Sequence, residues 1–202
     1  MREGIKVFSG KSRTRYPGSL PVGFFTWLRK EGWWRDRRLY LCSGGISDAE
    51  ADRVDIQRTC RPPDARRGHR TGERGERIRE FQTNANIIAD ARATGIESES
   101  YNWVMIDPPY SPSLAHDLYD TEEVYSGIGA FLNEGVRLAT PGGYVLTVTY
   151  EIPPLHPEAE IVGRYFFYQI PPVRNATALF IYRKFGEPEV EGLGKWCDAD
   201  RP

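Results

Sequence analysis

Residues 104–111 read VMIDPPYS, an apolar run that stops on Asp107, Pro108, Pro109 and Tyr110. Proline fixes φ and has no N–H, so two in series make a stiff turn whose carbonyls no sheet ladder needs. Such a turn presents the Asp107 carboxylate and the Pro108 carbonyl as two acceptors facing one donor group. An exocyclic amine on a base, with two hydrogens to give, matches that pair. Tyr110 would add a flat face on which a base stacks, worth about 1–3 kcal/mol. The plainer reading is a rigid surface turn with an exposed aromatic.

A second group is Cys42, Ser43, Gly44 and Gly45, which follow the apolar run LYL. Small residues just after a buried strand let the backbone approach a ligand closely, although a tight strand-to-loop turn would also use them. Asp55 ends the run VDI, and Asp90, followed by Ala91, ends IIAD. An acid at the end of a second strand suits the paired hydroxyls of a ribose. Singly, each is ordinary turn chemistry. Three acids at three successive strand ends make a common ligand edge the better explanation.

Placing these groups requires strands at about 38–42, 53–56, 86–91 and 102–107, with a fifth over YVLTVTY at 144–150. Helical spacing of Phe24, Phe25, Trp27 and Leu28 predicts a short helix stopped by Gly32. Ile128, Phe131, Leu132, Val136 and Ala139 predict another, stopped by Pro141-Gly142-Gly143. The segment RYFFYQIPPVRNATALFIYRKF reads as an antiparallel strand pair around a Pro-Pro turn. Strands alternating with helical segments, with acids at strand ends, predict an open α/β sheet whose site lies along the carboxyl edge.

Between the second and third strands, 57–82 reads as a basic insertion, with a helical run over 73–81. Its stretch 57–80 carries eight arginines against four acids. Guanidinium groups of this kind neutralise phosphates, with Arg66, Arg67 and Arg70 the candidates for nucleic acid, although a solvated insertion has the same composition. The link from Gly45 to VDI is too short for an ordinary crossover helix. Either that crossover is degenerate, or the helix before the first strand takes over its packing.

The DPPY turn after an apolar strand resembles motif IV of the S-adenosylmethionine-dependent amino-methyltransferases that modify adenine N6 or cytosine N4. LYLCSGG resembles their glycine-containing motif I, VDI their second-strand acid and IIADA their third. RLATPGGYVLTVTY and the final strand pair resemble the later part of a class I methyltransferase sheet. FSGK at 8–11 is faintly similar to the segment that helps hold the methionine part of the cofactor. The resemblance covers roughly 39–185, and only DPPY is specific; motif I has Ser43 where the pattern would carry glycine.

The resemblance implies a Rossmann-like class I methyltransferase fold, mostly parallel with an antiparallel edge hairpin, and S-adenosyl-L-methionine as cofactor. It implies catalytic roles for Asp107, Pro108, Pro109 and Tyr110, and cofactor contacts from Cys42, Ser43, Gly44, Gly45, Asp55, Asp90 and Ala91. The expected reaction is methyl transfer to adenine N6 or cytosine N4 in DNA. The alternatives are an RNA guanine-N2 or protein-glutamine methyltransferase, or an inactive nucleic-acid-binding subunit of the same fold.

The chain of 202 residues suits one domain, 1–202, with a frayed tail after 186 and no separate target-recognition domain. A net charge of −1 gives no global attraction to nucleic acid or membrane, so any basic surface is local. Cys42, Cys60 and Cys197 lack disulfide or zinc spacing, and His69, His116 and His156 form no ligand set, so no metal is expected. No signal-like start and no run of roughly 18 apolar residues occurs, so a cytoplasmic protein is expected.

Overall fold

Alternation of buried side chains along β2 (Arg38–Leu41), β7 (Tyr101–Ile106) and β8 (Ala139–Thr149) sends apolar residues to both faces of one sheet. A computed structural model of the chain describes residues 1–9, 20–60, 81–109, 115, 127–170 and 177–186. Its other strands are β1 (Arg2–Ser9), β3 (Ala51–Asp55), β4 (Thr59–Cys60), β5 (Phe81–Gln82), β6 (Ile87–Ile88), β9 (Ala159–Ile170) and β10 (Thr177–Lys184). Eight of these form one sheet in the order β1-β9-β10-β8-β7-β2-β3-β6, while β4 and β5 pair separately.

The run β8-β7-β2-β3-β6 is all parallel, β10 is antiparallel to both β8 and β9, and β1 is parallel to β9. Read from β6, the parallel strands come third, second, first, fourth and fifth, the order of a Rossmann-type sheet with its switch point beside β2. The hairpin β9–β10 follows with β10 inserted next to β8. This is a Rossmann-like class I methyltransferase fold, mostly parallel with an antiparallel edge region. The N-terminal apolar segment adds β1 outside the hairpin, a strand that composition alone did not assign.

One face packs against α2 (Ile128–Leu138), whose Ile128, Phe131, Leu132 and Val136 join Leu39, Leu41, Val54, Val104, Ile106 and Val145. A Cβ at Gly135 would lie 2.7 Å from Ile106 Cδ1, so the missing side chain lets the helix sit directly on β7 and β8. The other face packs against α1 (Phe24–Lys30) and the Trp33-Trp34 turn. Phe24 touches Phe167 with ring centroids 5.2 Å apart, and Trp34 touches Trp103 at 5.3 Å. The fully buried Trp103 donates its indole N–H to the Trp33 carbonyl at 2.8 Å.

Three boundaries differ from the sequence expectation. Helix α2 ends at Leu138, and Pro141-Gly142-Gly143 lies inside β8 rather than before it. Ala139 pairs with Tyr101 and Tyr144 with Trp103, so the Pro-Gly-Gly residues loop out of register, with Gly142 at φ 76° making the turn. The IIADA strand is only Ile87–Ile88, which leaves Asp90 in the following turn. Of the helix expected over 73–81, Phe81 is instead a strand residue opposite Cys60, and the remainder lies outside the described residues. So do the Pro171-Pro172 turn and the tail beyond 186.

No helix occupies the crossover 42–50 between β2 and β3. The helix before β2 and its Trp-Trp turn do cover that face. The crossover itself is fixed by Arg38, 5% exposed, whose guanidinium donates to Asp48 at 3.0 and 3.3 Å and to Glu50 at 3.1 Å. Tyr40 adds a hydroxyl bond to Asp48 at 3.0 Å, and Arg53 donates to the Asp48 carbonyl. Burial alone would raise the Asp48 pKa, but the bonds from Arg38 and Tyr40 outweigh it and hold the carboxyl below its ordinary value.

Asp48→Ala leaves the Arg38 charge buried with only the exposed Asp36 and Glu50 as partners, and should cost about 3 kcal/mol in urea unfolding at pH 7. Because the folded pKa is depressed, the Asp48 carboxylate stabilises fully above the ordinary aspartate pKa of about 4 and progressively less as pH falls through its folded value. The difference between wild type and Asp48→Asn should therefore shrink between pH 5 and pH 2 in the same measurement.

Candidate functional site

Parallel strands bring their carboxyl ends to one edge, and β2, β3, β6 and β7 end there side by side. Cys42 leaves β2 with φ 58°, a left-handed conformation uncommon for a residue with a side chain, and Gly44 follows with φ 51°. The turn is tied to both neighbouring strands. Ser43 N donates to the Val54 carbonyl at 3.0 Å, and Asp107 N donates to the Leu41 carbonyl at 3.3 Å.

Asp55 holds the glycine turn directly. Its Oδ2 accepts from Gly44 N and its Oδ1 from Ile56 N, both at 2.9 Å. Burial raises the Asp55 pKa above its ordinary value despite the opposing pull of these backbone donors. A carboxylate has about four lone-pair positions, so capacity remains for a ligand donor, but the acid is first a structural clamp. Asn84, which the sequence did not single out, closes the other side. Its N–H donates to the Gly44 carbonyl at 2.9 Å and its side-chain amide to the Gly45 carbonyl at 3.0 Å.

Asp90 is engaged by Arg92, also unforeseen. The guanidinium donates to Oδ1 at 2.9 Å and to Oδ2 at 2.6 Å, and Arg92 N adds a bond to Oδ1 at 2.9 Å. These bonds, foremost the guanidinium pair, keep the Asp90 carboxyl below its ordinary pKa. Ala91 is buried and belongs to the core on the α2 face, so its side chain serves packing. The spacing Asp-x-Arg was the available signal for the pair; an Asn after an arginine-rich run carries none.

The acids converge on Cys42. Its thiol is pushed well up, first by burial and then by Asp55, Asp107 and Asp90, with Arg92 opposing. Cys42 is therefore a neutral thiol at neutral pH and no nucleophile. The same field favours a cation at this edge. Ser43 is 2% exposed, and its hydroxyl has no hydrogen-bond partner among the described residues.

Asp107 and Pro109 are half-buried and Pro108 is buried at the end of β7. Tyr110, Arg66, Arg67 and Arg70 lie outside the described residues, as do Gly10 and Lys11 of FSGK. The base of the basic insertion is described: β4 and β5 form a short ribbon, closed by Thr83 N donating to the Arg58 carbonyl at 2.8 Å. Cys60 and Phe81 are thus paired side by side after β3. His156 accepts from Glu158 N at 3.1 Å in a turn before β9, away from this edge. Among the described residues, no group of His, Cys, Asp and Glu is arranged to hold a metal ion, and no helix is long and apolar enough to cross a membrane.

No family profile matches the chain, and no curated protein matches it. Solved structures do. One is titled a putative type II methyltransferase from Anaeromyxobacter dehalogenans, with 18% identity over 75% of this chain and 52% of that one, at a TM-score of 0.34. TrmN from Thermus thermophilus shares 17% identity over 80% of this chain and 48% of its own, at 0.43. The putative methyltransferase yhhF from Escherichia coli shares 13% over 90% and 98%, at 0.46. The chain spans about half the length of the first two. The fold rests on its own strand order, not on these likenesses.

Asp55→Asn leaves one carbonyl oxygen to serve the backbone donors of Gly44, Ile56 and Gln57. It should cost about 1–2 kcal/mol in stability. Exchange of the Gly44 amide hydrogen should quicken more than that of core amides in β7; equal changes would show that Asp55 does not clamp the turn.

Proposed function

We propose that the protein is an S-adenosylmethionine-dependent methyltransferase acting on an exocyclic amino group of a base. The observation that carries this reading is the joining of the DPPY turn to the glycine turn: Asp107, at the end of β7, hydrogen-bonds through its N–H to Leu41, the residue before Cys42. The acceptor pair for an amine and the small-residue turn therefore share one rigid edge.

The residues fit the cofactor. The acids that raise Cys42 make a negative field suited to a sulfonium, the orphaned Ser43 hydroxyl offers a buried donor and acceptor, and Asp55 retains acceptor capacity. When bound, S-adenosylmethionine supplies a methyl group on a positively charged sulfur. The cofactor-side residues are Cys42, Ser43, Gly44, Gly45, Asp55, Asp90 and Ala91, with Asp90 presented by Arg92 and Ala91 contributing through packing and backbone.

Asp107 and the Pro108 carbonyl accept the two hydrogens of the amine and draw its lone pair out of conjugation with the ring. Pro109 keeps the turn stiff, and Tyr110 supplies the stacking face. No covalent intermediate on the protein is required, so the chain's work is positioning and electrostatics. A base within a duplex must first be flipped out, at a cost of a few kcal/mol.

The amine belongs to adenine N6 or cytosine N4 of DNA in the first reading and to guanine N2 of RNA in the second. Asp at 107 is compatible with both, and leans against a protein glutamine. Labelled-methyl transfer to duplex DNA, single-stranded DNA and RNA, followed by nucleoside digestion, identifies the acceptor. If no nucleic acid takes up label while the cofactor still binds by calorimetry, the nucleic-acid reading fails. If calorimetry with S-adenosylmethionine shows no heat, the chain is a binding subunit on a methyltransferase fold. Asp107→Ala should lower turnover about 100- to 1,000-fold, the scale of losing one transition-state contact, and far more than it weakens cofactor binding. Normal methylation by that variant would remove Asp107 from the reaction.

A further inference from the structure

At the edge opposite the candidate site, the turn after α1 and the start of β2 read RKEGWWRDRR over residues 29–38. Arg2 of β1 joins it by donating to the Glu31 carbonyl at 2.7 Å. Arg2, Arg29, Arg35 and Arg37 are exposed, and among the described residues none has a carboxylate within ion-pair distance. The nearby acids are directed elsewhere. Asp36, Asp48 and Glu50 face the buried Arg38, and Glu31 accepts the Trp27 indole N–H at 3.1 Å.

Three of the four guanidiniums lie over aromatic rings instead. Arg2 is 4.9 Å from the Trp33 centroid, Arg29 is 4.0 Å from Trp34 and Arg35 is 4.7 Å from Tyr144. Stacking restrains a guanidinium without neutralising its charge; Arg35 is held further by donating to the Gly32 and Trp34 carbonyls at 2.8 and 2.7 Å and to the Tyr144 hydroxyl at 3.2 Å, neutral partners that leave its charge uncompensated. In a chain of net charge −1, four arginines without a carboxylate partner among the described residues, one from β1, one from α1 and two from the turn before β2, gather into a local electropositive surface.

We propose that this arginine–tryptophan surface binds the phosphodiester backbone of a nucleic acid, as an anchor remote from the reacting base. Planar guanidinium forks match phosphate oxygens, and their spread over a flat aromatic turn suits a repeating anion. The partner class rests on the reading given under Proposed function; the surface does not. The distance between the two edges is set by the strands, roughly 20 Å for the six residues of β7. A short oligonucleotide can thus reach one edge only, whereas a longer one can engage both.

The test is binding of fluorescently labelled single-stranded RNA, single-stranded DNA and duplex DNA by anisotropy, from 50 to 200 mM salt. Arg29→Gln with Arg37→Asn is the informative variant. Neither side chain makes a hydrogen bond among the described residues, and asparagine tolerates the φ of 48° at position 37. Loss of two phosphate contacts should weaken single-strand binding about 25-fold at 0.1 M salt and flatten the log–log salt slope by about 1.4. Arg183→Gln, which removes an arginine paired with Glu160 at 2.5 Å, should alter neither. The double variant should bind S-adenosylmethionine in calorimetry as wild type does, so that a failure of anchoring is distinguishable from a failure of the methyltransferase reading. An unchanged affinity and slope in the double variant, with its melting temperature preserved, overturns the proposal. So does a wild type that binds none of the oligonucleotides, or one that binds anionic phosphatidylserine vesicles in their place.

Discussion

The shortness of the link between β2 and β3 governs much of the molecule. A parallel crossover ordinarily needs a dozen or more residues and a helix to cover the sheet; here residues 42–50 must suffice. That link gives the sheet face little more than Ile46, so α1 and the Trp33-Trp34 turn cover it from the chain preceding β2. The link instead spends its residues on polar fastening. Arg38, Tyr40 and Arg53 hold Asp48, while Asp55 and Asn84 hold Gly44 and Gly45. A buried ion pair of this kind gives little net stability over an apolar substitute, but it is costly to break on one side, so it fixes one geometry.

That fixing passes directly to the carboxyl edge. The glycine turn is short, and it is bonded to Val54 on one side and lies next to the Leu41–Asp107 bond on the other. Its position is therefore set by two strands at once. The acids at the edge have different duties: Asp55 secures backbone, Asp90 is held by Arg92, and Asp107 begins the proline turn. Three carboxylates that looked equivalent in the sequence thus have unlike surroundings, and the pKa of Asp55 moves opposite to that of Asp90 because burial dominates the first and a guanidinium the second.

Charged groups of both signs have unlike duties at the two ends of the strands. The carboxyl edge gathers acids around Cys42, and the amino edge gathers arginines around Trp33 and Trp34. The inner arginine, Arg38, takes the local acids, and the outer ones are left over aromatic rings.

The sequence by itself determined the central strands, the helix over 128–138 and the place of Asp107, because period-2 and period-3.6 burial and a double proline are local signals. It did not determine that the Pro-Gly-Gly residues lie inside β8, since glycines that end a helix and glycines that loop out of a strand have the same composition. Nor did it reveal β1, whose short alternating run gains meaning only beside β9. Tertiary structure alone decided the partners of the acids. Arg38 lies 10 residues from Asp48, Asp55 lies 11 from Gly44 and Asn84 lies 39 from Gly45. Such contacts depend on strand order, which sets which ends meet, and no spacing along the chain records it.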